Sequence, residues 1–430
     1  MHSQSNGRLP RLRWGIGGLL GVGVLINYLD RISVSVAGPQ LQSSFHLSNA
    51  QLGVLFSAFF WTYALLQIPV GMVLDRLGVK RIGRWGALLW AVASTITAFA
   101  GGFGGLFAAR ALLGIAEAPG FPASSKATGY WFPRKERAMA TALFDAAAKF
   151  SSVIGVPLVA FAVVTFGWRW GFGITALLSL GYFIAFCLVY RDPSEHPRLS
   201  REEYDYIKAG GATPEGISHS GSVATLGYLL KQRKIWGLTL GFAAYGYSFY
   251  LFLTWLPGYL VQSMHMSILK SAGFAAIPWA CATISDLLVG GWLIDALIAR
   301  GGDETVVRKS VLVTGMVFGL AVFGTVFTHD PYWAIAWISL ALAGLAAAAP
   351  VGWSLPSLIA PTGATGTVGG IMNFANNMMG VAAPIVTGML VGSSQSFTNA
   401  FLVAGAVLLI GIMAFVVLLG RIEPIEDPRF

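Results

Sequence analysis

Residues 14–38 read WGIGGLLGVGVLINYLDRISVSVAG, and this stretch decides the fold. A bilayer core of roughly 30 Å takes about 20 residues of helix to cross, and the run is long enough. Its charges, Asp30 and Arg31, stand side by side deep within it. Charge inside such a segment is costly to keep out of water, and it is retained mainly where it lines a cavity or is paired. Arg8, Arg11 and Arg13 precede the run, which is too long for a signal-peptide core and lacks a clear small-residue cleavage site. The amino end is therefore expected to stay, on the cytoplasmic side.

Runs of the same kind recur along the chain. The segments 14–38, 49–75, 80–100, 104–127, 138–166 and 169–190 are followed by 235–262, 270–298, 307–327, 331–356, 364–390 and 397–420. With 55% hydrophobic residues, 11% charged residues and a mean hydropathy of +0.68, the 430 residues hold too little polar surface to coat a soluble domain of this length. Ten-residue stretches of alternating polarity, which would mark a β-barrel, are not evident. The expectation is an all-α integral membrane protein with twelve transmembrane helices in two six-helix, pseudo-symmetric bundles. Residues 1–190 form the first bundle, 191–234 a cytoplasmic linker and 235–430 the second bundle. The linker is the one long polar segment, with Asp192-Pro193, several charges and then a Gly/Ser-rich stretch.

The net charge of +9 is spread by loop and not gathered on one soluble face, so topology explains it better than nucleic acid. Of the 28 Lys and Arg, 22 fall on the side of the termini and linker, two (Arg169 and Lys270) fall opposite, and Arg31, Arg110, Lys126 and Lys149 lie within spans. That asymmetry places both ends and the linker in the cytoplasm, as in a bacterial inner membrane. Nothing demands an oligomer, so a monomer is expected. Cys187 and Cys281 lie in apolar segments without CxxC spacing and read as buried thiols. The six histidines fall in loops or at helix ends, which argues against an intramembrane histidine relay. Gly101-Gly102 and Gly104-Gly105 lack the context of a phosphate loop. No cofactor, metal or enzymatic site is expected.

The buried charges carry the chemistry. Arg110 and Glu117, seven apart, lie about 20° apart in azimuth and roughly 10 Å apart along one helix face. Asp145 and Lys149 are spaced i,i+4, close enough for a salt bridge. Arginine stays charged and clamps a carboxylate through paired hydrogen bonds. An acid beside it becomes easier to protonate once a substrate anion takes the arginine, so anion and proton favour each other. These residue types therefore suit proton-anion symport. Structural alternatives stay open for each pair: Asp30 as an orienting group for Arg31, Arg110 with Glu117 as an interhelical clamp, and Asp145 with Lys149 as a local bridge. Asp286 reads as a second proton site or as a cap or gate at the cytoplasmic end, and Lys126 as a snorkelling side chain. Tyr63, Trp353, Asn373, Asn376 and Asn377 are the polar and aromatic groups available to complete a site, Asn373 and Asn377 sharing a face.

The halves echo each other. Gly71-x-x-x-Asp75-Arg76-x-Gly78-x-Lys80-Arg81 after the second span has a degraded copy in Gly291-x-x-x-Asp295 after the eighth. The first of these resembles the signature loop of the major facilitator superfamily. Asn27-Tyr28-Leu29-Asp30-Arg31, Arg110-Ala-Leu-Leu-Gly114-Ile-Ala-Glu117-Ala-Pro-Gly-Phe121-Pro122-Ala and Trp131-Phe132-Pro133-Arg-Lys-Glu136-Arg137 together resemble its anion:cation symporter family, which includes hexuronate, galactonate, glucarate, tartrate and phthalate permeases. The resemblance covers essentially the whole chain. It implies a substrate carboxylate held by Arg31 and Tyr63, proton coupling by Asp30 and Glu117 with Arg110 as partner of Glu117, and sugar hydroxyls met by Asn373. Asp75, Arg76 and Arg81 would form a cytoplasmic gate.

One departure bears on the substrate. Asp145, Ala148 and Lys149 stand where sugar-acid members often carry an Asn and, four residues on, a Gln. The added cation makes a dicarboxylate or an aromatic acid competitive with a sugar acid, Lys149 meeting a second carboxylate. The expected protein is thus a proton-coupled importer of a small organic anion. An anion exchanger or exporter is the first alternative, and a transporter-like sensor is the second.

Overall fold

The computed structural model describes residues 11–133, 136–212, 225–328, 330–361, 364–392 and 396–427, and among these there are helices and no strands. Helix α1 (Leu12–Phe45) extends the expected first span at both ends. Helix α2 (Asn49–Phe99) absorbs two expected spans, 49–75 and 80–100, which are separated by a single break at Gly78 (φ 77, ψ 165). That is the left-handed region that favours glycine, and a Cβ at Gly78 would meet nothing within 4 Å, so the residue is needed for its backbone and not for space. The expected span 104–127 is also divided, into α3 (Phe103–Glu117) and α4 (Gly120–Trp131). Pro119, which lacks the N–H that a continuous helix would use, stands in the gap and leaves Glu117 as the last residue of α3. Helices α5 (Arg137–Phe166) and α6 (Trp168–Val189) complete the first set.

The linker carries two short helices, α7 (Arg201–Ala209) and α8 (Leu226–Leu230). The second set begins with α9 (Arg233–Gln262), then α10 (Ile268–Ser285), which runs through a π-helical stretch at Asp286–Leu293 into α11 (Ile294–Ala299). Next come α12 (Glu304–Gly319) with a 3₁₀ extension, α13 (Pro331–Ile359), α14 (Thr365–Val391) and α15 (Thr398–Met413). Among the described residues nine helices are long and apolar enough to cross a membrane. The other expected spans are the limb of α2 beyond Gly78, the broken α3–α4 pair and α9.

An echo between the halves appears where the sequence was silent. His46 (φ 52) and His265 (φ 51) are the two non-glycine residues with left-handed backbone among those described. Two residues after each, Ser48 and Ser267 cap the next helix by accepting from the backbone N–H of Gln51 and Lys270. The α1–α2 and α9–α10 turns are therefore built alike.

Helix α1 packs on α5 and α6, and α2 packs on α3 and α6; in the second set α9 lies against α14 and α15, and α13 against α10 and α12. The sets meet along α2–α14, α5–α10 and α1–α9. At the end remote from the termini they are closed. Asn49 Nδ2 donates to the Gly392 carbonyl at 2.7 Å, Gln262 Nε2 to Gln42 Oε1 at 3.4 Å, and Ser35 Oγ to the Thr254 carbonyl. Backbones nearly touch there: a Cβ on Gly53 would lie 2.3 Å from the Pro384 carbonyl oxygen, and one on Gly388 would lie 2.4 Å from that of Asn49.

At the other end α7 is pinned to the first set. Buried Glu203 accepts from the backbone N–H groups of Leu12 and Arg13 at 3.2 Å, capping α1, and from Arg13 Nη1 at 2.9 Å. Arg13 Nε also donates to Glu136 at 2.8 Å, and Lys80 bonds to Glu195. The Lys80 bond holds the Glu195 carboxyl below the ordinary carboxylate range.

Gly53→Val should wedge the closed end apart at a cost of about 1–3 kcal/mol. The check is thiol labelling of Ser35→Cys in that background, which should be faster than in the parent.

Candidate functional site

Successive residues on a helix point about 100° apart, so Asp30 and Arg31 diverge although they are neighbours. Arg31 turns toward α2 and α3. Its Nε donates to Glu117 Oε2 at 3.0 Å and its Nη2 to Asn27 Oδ1 at 3.1 Å, one turn back. The guanidinium carbon lies 4.7 Å from the Tyr28 ring centroid, 4.6 Å from Phe59 and 4.7 Å from Tyr63. Three π faces thus hold a desolvated cation, a contact worth up to about 2 kcal/mol for a ring over a buried charge. Two positions stay open: Arg31 Nη1 has no hydrogen-bond partner among the described residues, and buried Glu117 Oε1 has none either.

Asp30 turns the other way, accepting from Trp90 Nε1 at 2.6 Å and Ser179 Oγ at 2.9 Å. Its backbone carbonyl accepts from Arg110 Nη1 at 2.8 Å. The expected pairing of Arg110 with Glu117 is thus not a direct hydrogen bond, although the two charges stay within electrostatic reach of each other. From α3, Arg110 reaches the Asp30 carbonyl on α1 while Glu117 reaches the Arg31 guanidinium.

The second set supplies amides. Tyr250 donates to Asn377 Oδ1 at 3.0 Å, Asn377 Nδ2 to Asn373 Oδ1 at 2.8 Å, and Asn373 Nδ2 to Gln67 Oε1 on α2 at 3.4 Å. Asn376 reaches the Tyr250 hydroxyl at 3.5 Å, and the Tyr250 ring meets Phe60 at 4.6 Å. Asn373 and Asn377 therefore belong to one chain of bonds that joins both sets. Trp353 stands apart. It is 43% exposed, packs edge-on to Phe242 at 4.9 Å, and connects to Tyr250 through stacked Tyr245 and Phe249.

Lys149 is already occupied. Its Nζ lies 3.0 Å from Asp145 Oδ2, the expected i,i+4 bridge, and 3.1 Å from Asp286 Oδ2 across the α5–α10 seam. A second substrate carboxylate would have to displace one of them. Asp286 is correspondingly an interior partner of Lys149 and not a cap at the cytoplasmic end, because the α10 face that carries it packs on α5.

Of the expected gate, Arg76 and Arg81 are exposed, and the Asp75 side chain lies outside the described residues. Lys126 does not simply reach for the interface: its Nζ donates to the Leu74 carbonyl at 3.2 Å. Cys187 and Cys281 are half-buried free thiols, not fully buried. His46, His196 and His265 lie at helix ends and in the linker, while His2, His219 and His329 lie outside the described residues. Among the described residues no group of three or more His, Cys, Asp or Glu is placed to hold a metal.

Six contributors escaped the sequence reading: Tyr28, Phe59, Gln67, Trp90, Ser179 and Tyr250. Tyr28 lies three residues before Arg31 and Gln67 four after Tyr63, spacings that put each pair on one helix face, so both were readable. Trp90 and Tyr250 had no such signal.

A profile described as Major Facilitator Superfamily matches residues 20–384. The chain is 43% identical to the uncharacterized transporter YybO of Bacillus subtilis (strain 168), covering 96% of this chain and 95% of that one. It is 33% identical to the probable galactarate/D-glucarate transporter GudP of Escherichia coli (strain K12), covering 96% and 95%. Its fold is similar to the crystal structure of a bacterial homolog of the human lysosomal transporter Spinster in an inward-facing, unoccupied conformation, with a TM-score of 0.76 at 17% identity, covering 96% and 98%.

The Tyr63 hydroxyl makes no hydrogen bond to a described residue, so Tyr63→Phe should leave thermal stability unchanged. If the hydroxyl meets substrate, the loss of one hydrogen bond raises the transport KM by about tenfold. Uptake kinetics beside a melting curve check both.

Proposed function

This chain belongs to the Major Facilitator Superfamily, and from that premise we propose that it imports a small organic anion together with protons, the anion being a sugar acid or a related carboxylate. It is a multi-pass membrane transporter and not an enzyme. In this reading residues 1–190 and 235–430 rock about a shared site, residues 191–234 link them in the cytoplasm with both termini, and the protein works as a monomer.

One observation carries the proposal: the buried Arg31–Glu117 ion pair, in which Glu117 Oε1 is buried with no hydrogen-bond partner among the described residues. A substrate carboxylate in reach of Arg31 competes with Glu117 for the guanidinium and fits its paired donors. Glu117, left without its cation in a site of low dielectric, then takes a proton. Binding of anion and of proton favour each other by the same factor, and this is what coupling requires. Tyr28, Phe59 and Tyr63 keep the guanidinium in place while its partner changes. Asp30, tied to Trp90 and Ser179, is the second coupling acid, and Arg110 holds its backbone.

Asn373, Asn377 and Tyr250 offer donors and acceptors to hydroxyls on the body of the substrate. Lys149 is satisfied by two aspartates, so the reading places one carboxylate on Arg31 and leaves the remainder of the substrate to the amides. Arg76 and Arg81, beside the Gly78 break, serve the cytoplasmic gate together with Asp75. Inward movement of net positive charge gains roughly 2.3 kcal/mol per 100 mV, enough to concentrate substrate.

The test uses purified protein in liposomes, with sugar acids and other carboxylates offered under an inward proton gradient. Glu117→Gln should keep substrate exchange and lose proton-driven accumulation, and accumulation that survives the substitution refutes the role of Glu117. Arg31→Lys keeps the charge but loses the planar fork, so substrate affinity should fall by roughly 10- to 100-fold, matching the loss of one charge-assisted hydrogen bond. Counterflow by the native protein together with no net, proton-driven uptake of any of these substrates would replace symport with exchange.

A further inference from the structure

Lys149, Asp145 and Asp286 form a cluster that the Arg31–Glu117 pair does not use. One ammonium faces two carboxylates at 3.0 and 3.1 Å, so with all three ionised the cluster carries a net charge of −1. Asp286 is only 5% exposed, and its Oδ1 is buried without a hydrogen-bond partner. A buried carboxylate oxygen with no donor is costly unless something fills it at another stage of the cycle.

Among the described residues no second cation pairs with either aspartate. Besides Lys149 and Asp145 on α5, the ionisable groups facing the cluster are Tyr245 from α9 and Tyr28 from α1. Helix α13, packed against the π-helical stretch, has no ionisable side chain beyond Tyr332 near its start. That stretch begins at Asp286 itself, and π turns within α-helices occur frequently at functional sites. Its backbone is held tightly by α13: a Cβ on Gly290 would lie 2.8 Å from the Pro350 side chain. Asp145, 27% exposed on its side chain against 5% for Asp286, is the more accessible acid of the cluster.

We propose that Asp286 is a further proton-binding site, placed on the second set of helices and separate from the acids beside Arg31, whose occupation unlocks the α5–α10 seam. A hydronium ion arriving at the Asp145 end breaks one of its O–H bonds and gives the proton to Asp286 Oδ1, leaving water and bringing the cluster from −1 to neutral. Lys149 keeps Asp145 on its own helix and loses the charged partner across the seam, so the ion pair that ties α5 to α10 becomes a weak contact. With the proton removed the pair closes again, as it stands in this structure. Each cycle then carries one proton at the seam in addition to any carried beside Arg31. The inference rests on the transport reading above, but not on which residue beside Arg31 takes the other proton.

Spin labels at exposed Leu158 on α5 and exposed Ile277 on α10, both on the closed-end side of the ion pair, would report the seam in reconstituted protein without any substrate. The expected result is a longer inter-label distance in acid than in alkaline buffer, retained in Glu117→Gln and abolished in Asp286→Asn. Lys149 still has Asp145 in that variant. A native distance that does not respond to pH overturns the proposal even if Asp286→Asn fails to fold, and so does an Asp286→Asn response equal to the native one. The ratio of protons to substrate, taken from reversal potentials, should fall by one in Asp286→Asn, and an unchanged ratio also overturns it. Loss of coupling in Glu117→Gln alone, with Asp286→Asn unaltered, would leave the proposed function standing and remove only this site.

Discussion

A guanidinium taken out of water has to find its partners inside the protein, and the arrangement of the first set of helices follows from where Arg31 finds them. Glu117 answers its charge, Asn27 takes a second donor, and Tyr28, Phe59 and Tyr63 cover its faces. Those residues come from α1, α2 and α3, so one side chain draws three helices together at the same depth. The cost of burying an unpaired charge exceeds what most packing contacts return, and displacing any of these partners exposes that cost. A substrate carboxylate is one of the few groups that can replace Glu117 without incurring it.

The breaks in the helices serve the same arrangement. Pro119 ends α3 at Glu117, which frees the carboxylate from continued helical packing. Gly78 lets α2 turn once and continue, so the segment that carries Tyr63 and Gln67 stays joined to the limb that carries Trp90. Trp90 reaches Asp30, while Gln67 reaches Asn373 in the other set. Contact between the sets is of two kinds: close backbone approach at Gly53 and Gly388 at the closed end, and polar links through Asn373 and Lys149 nearer the middle. The first kind is short-ranged and steric. The second is polar, and within it the Lys149–Asp286 contact joins titratable groups.

Much of the architecture was legible because lipid leaves few choices. Segments such as 138–166 and 331–356 correspond within a few residues to α5 and α13, since an apolar run of that length in a bilayer must satisfy its backbone within a helix. Helical spacing also placed Asp145 beside Lys149, and Asn373 beside Asn377. Reading failed where partners come from elsewhere in the chain. Arg110 and Glu117 share a face as their spacing requires, yet each bonds to α1 and not to the other. Lys149 reads as a partner of Asp145 alone, open to a second substrate carboxylate, because nothing in the sequence announced that Asp286, far along the chain, would meet it.

The sequence by itself determined that the chain lives in a membrane, roughly where its helices run, and that charges such as Arg31, Glu117 and Lys149 lie within apolar segments. These are properties of local composition and period, set by hydrophobic burial and by backbone hydrogen bonds that close within a segment. Only the tertiary structure decided which charge meets which. A salt bridge about 3 Å long depends on the relative rotation and depth of two helices, and those are set by packing at residues such as Gly53, Gly290 and Gly388, where a missing side chain lets backbones approach.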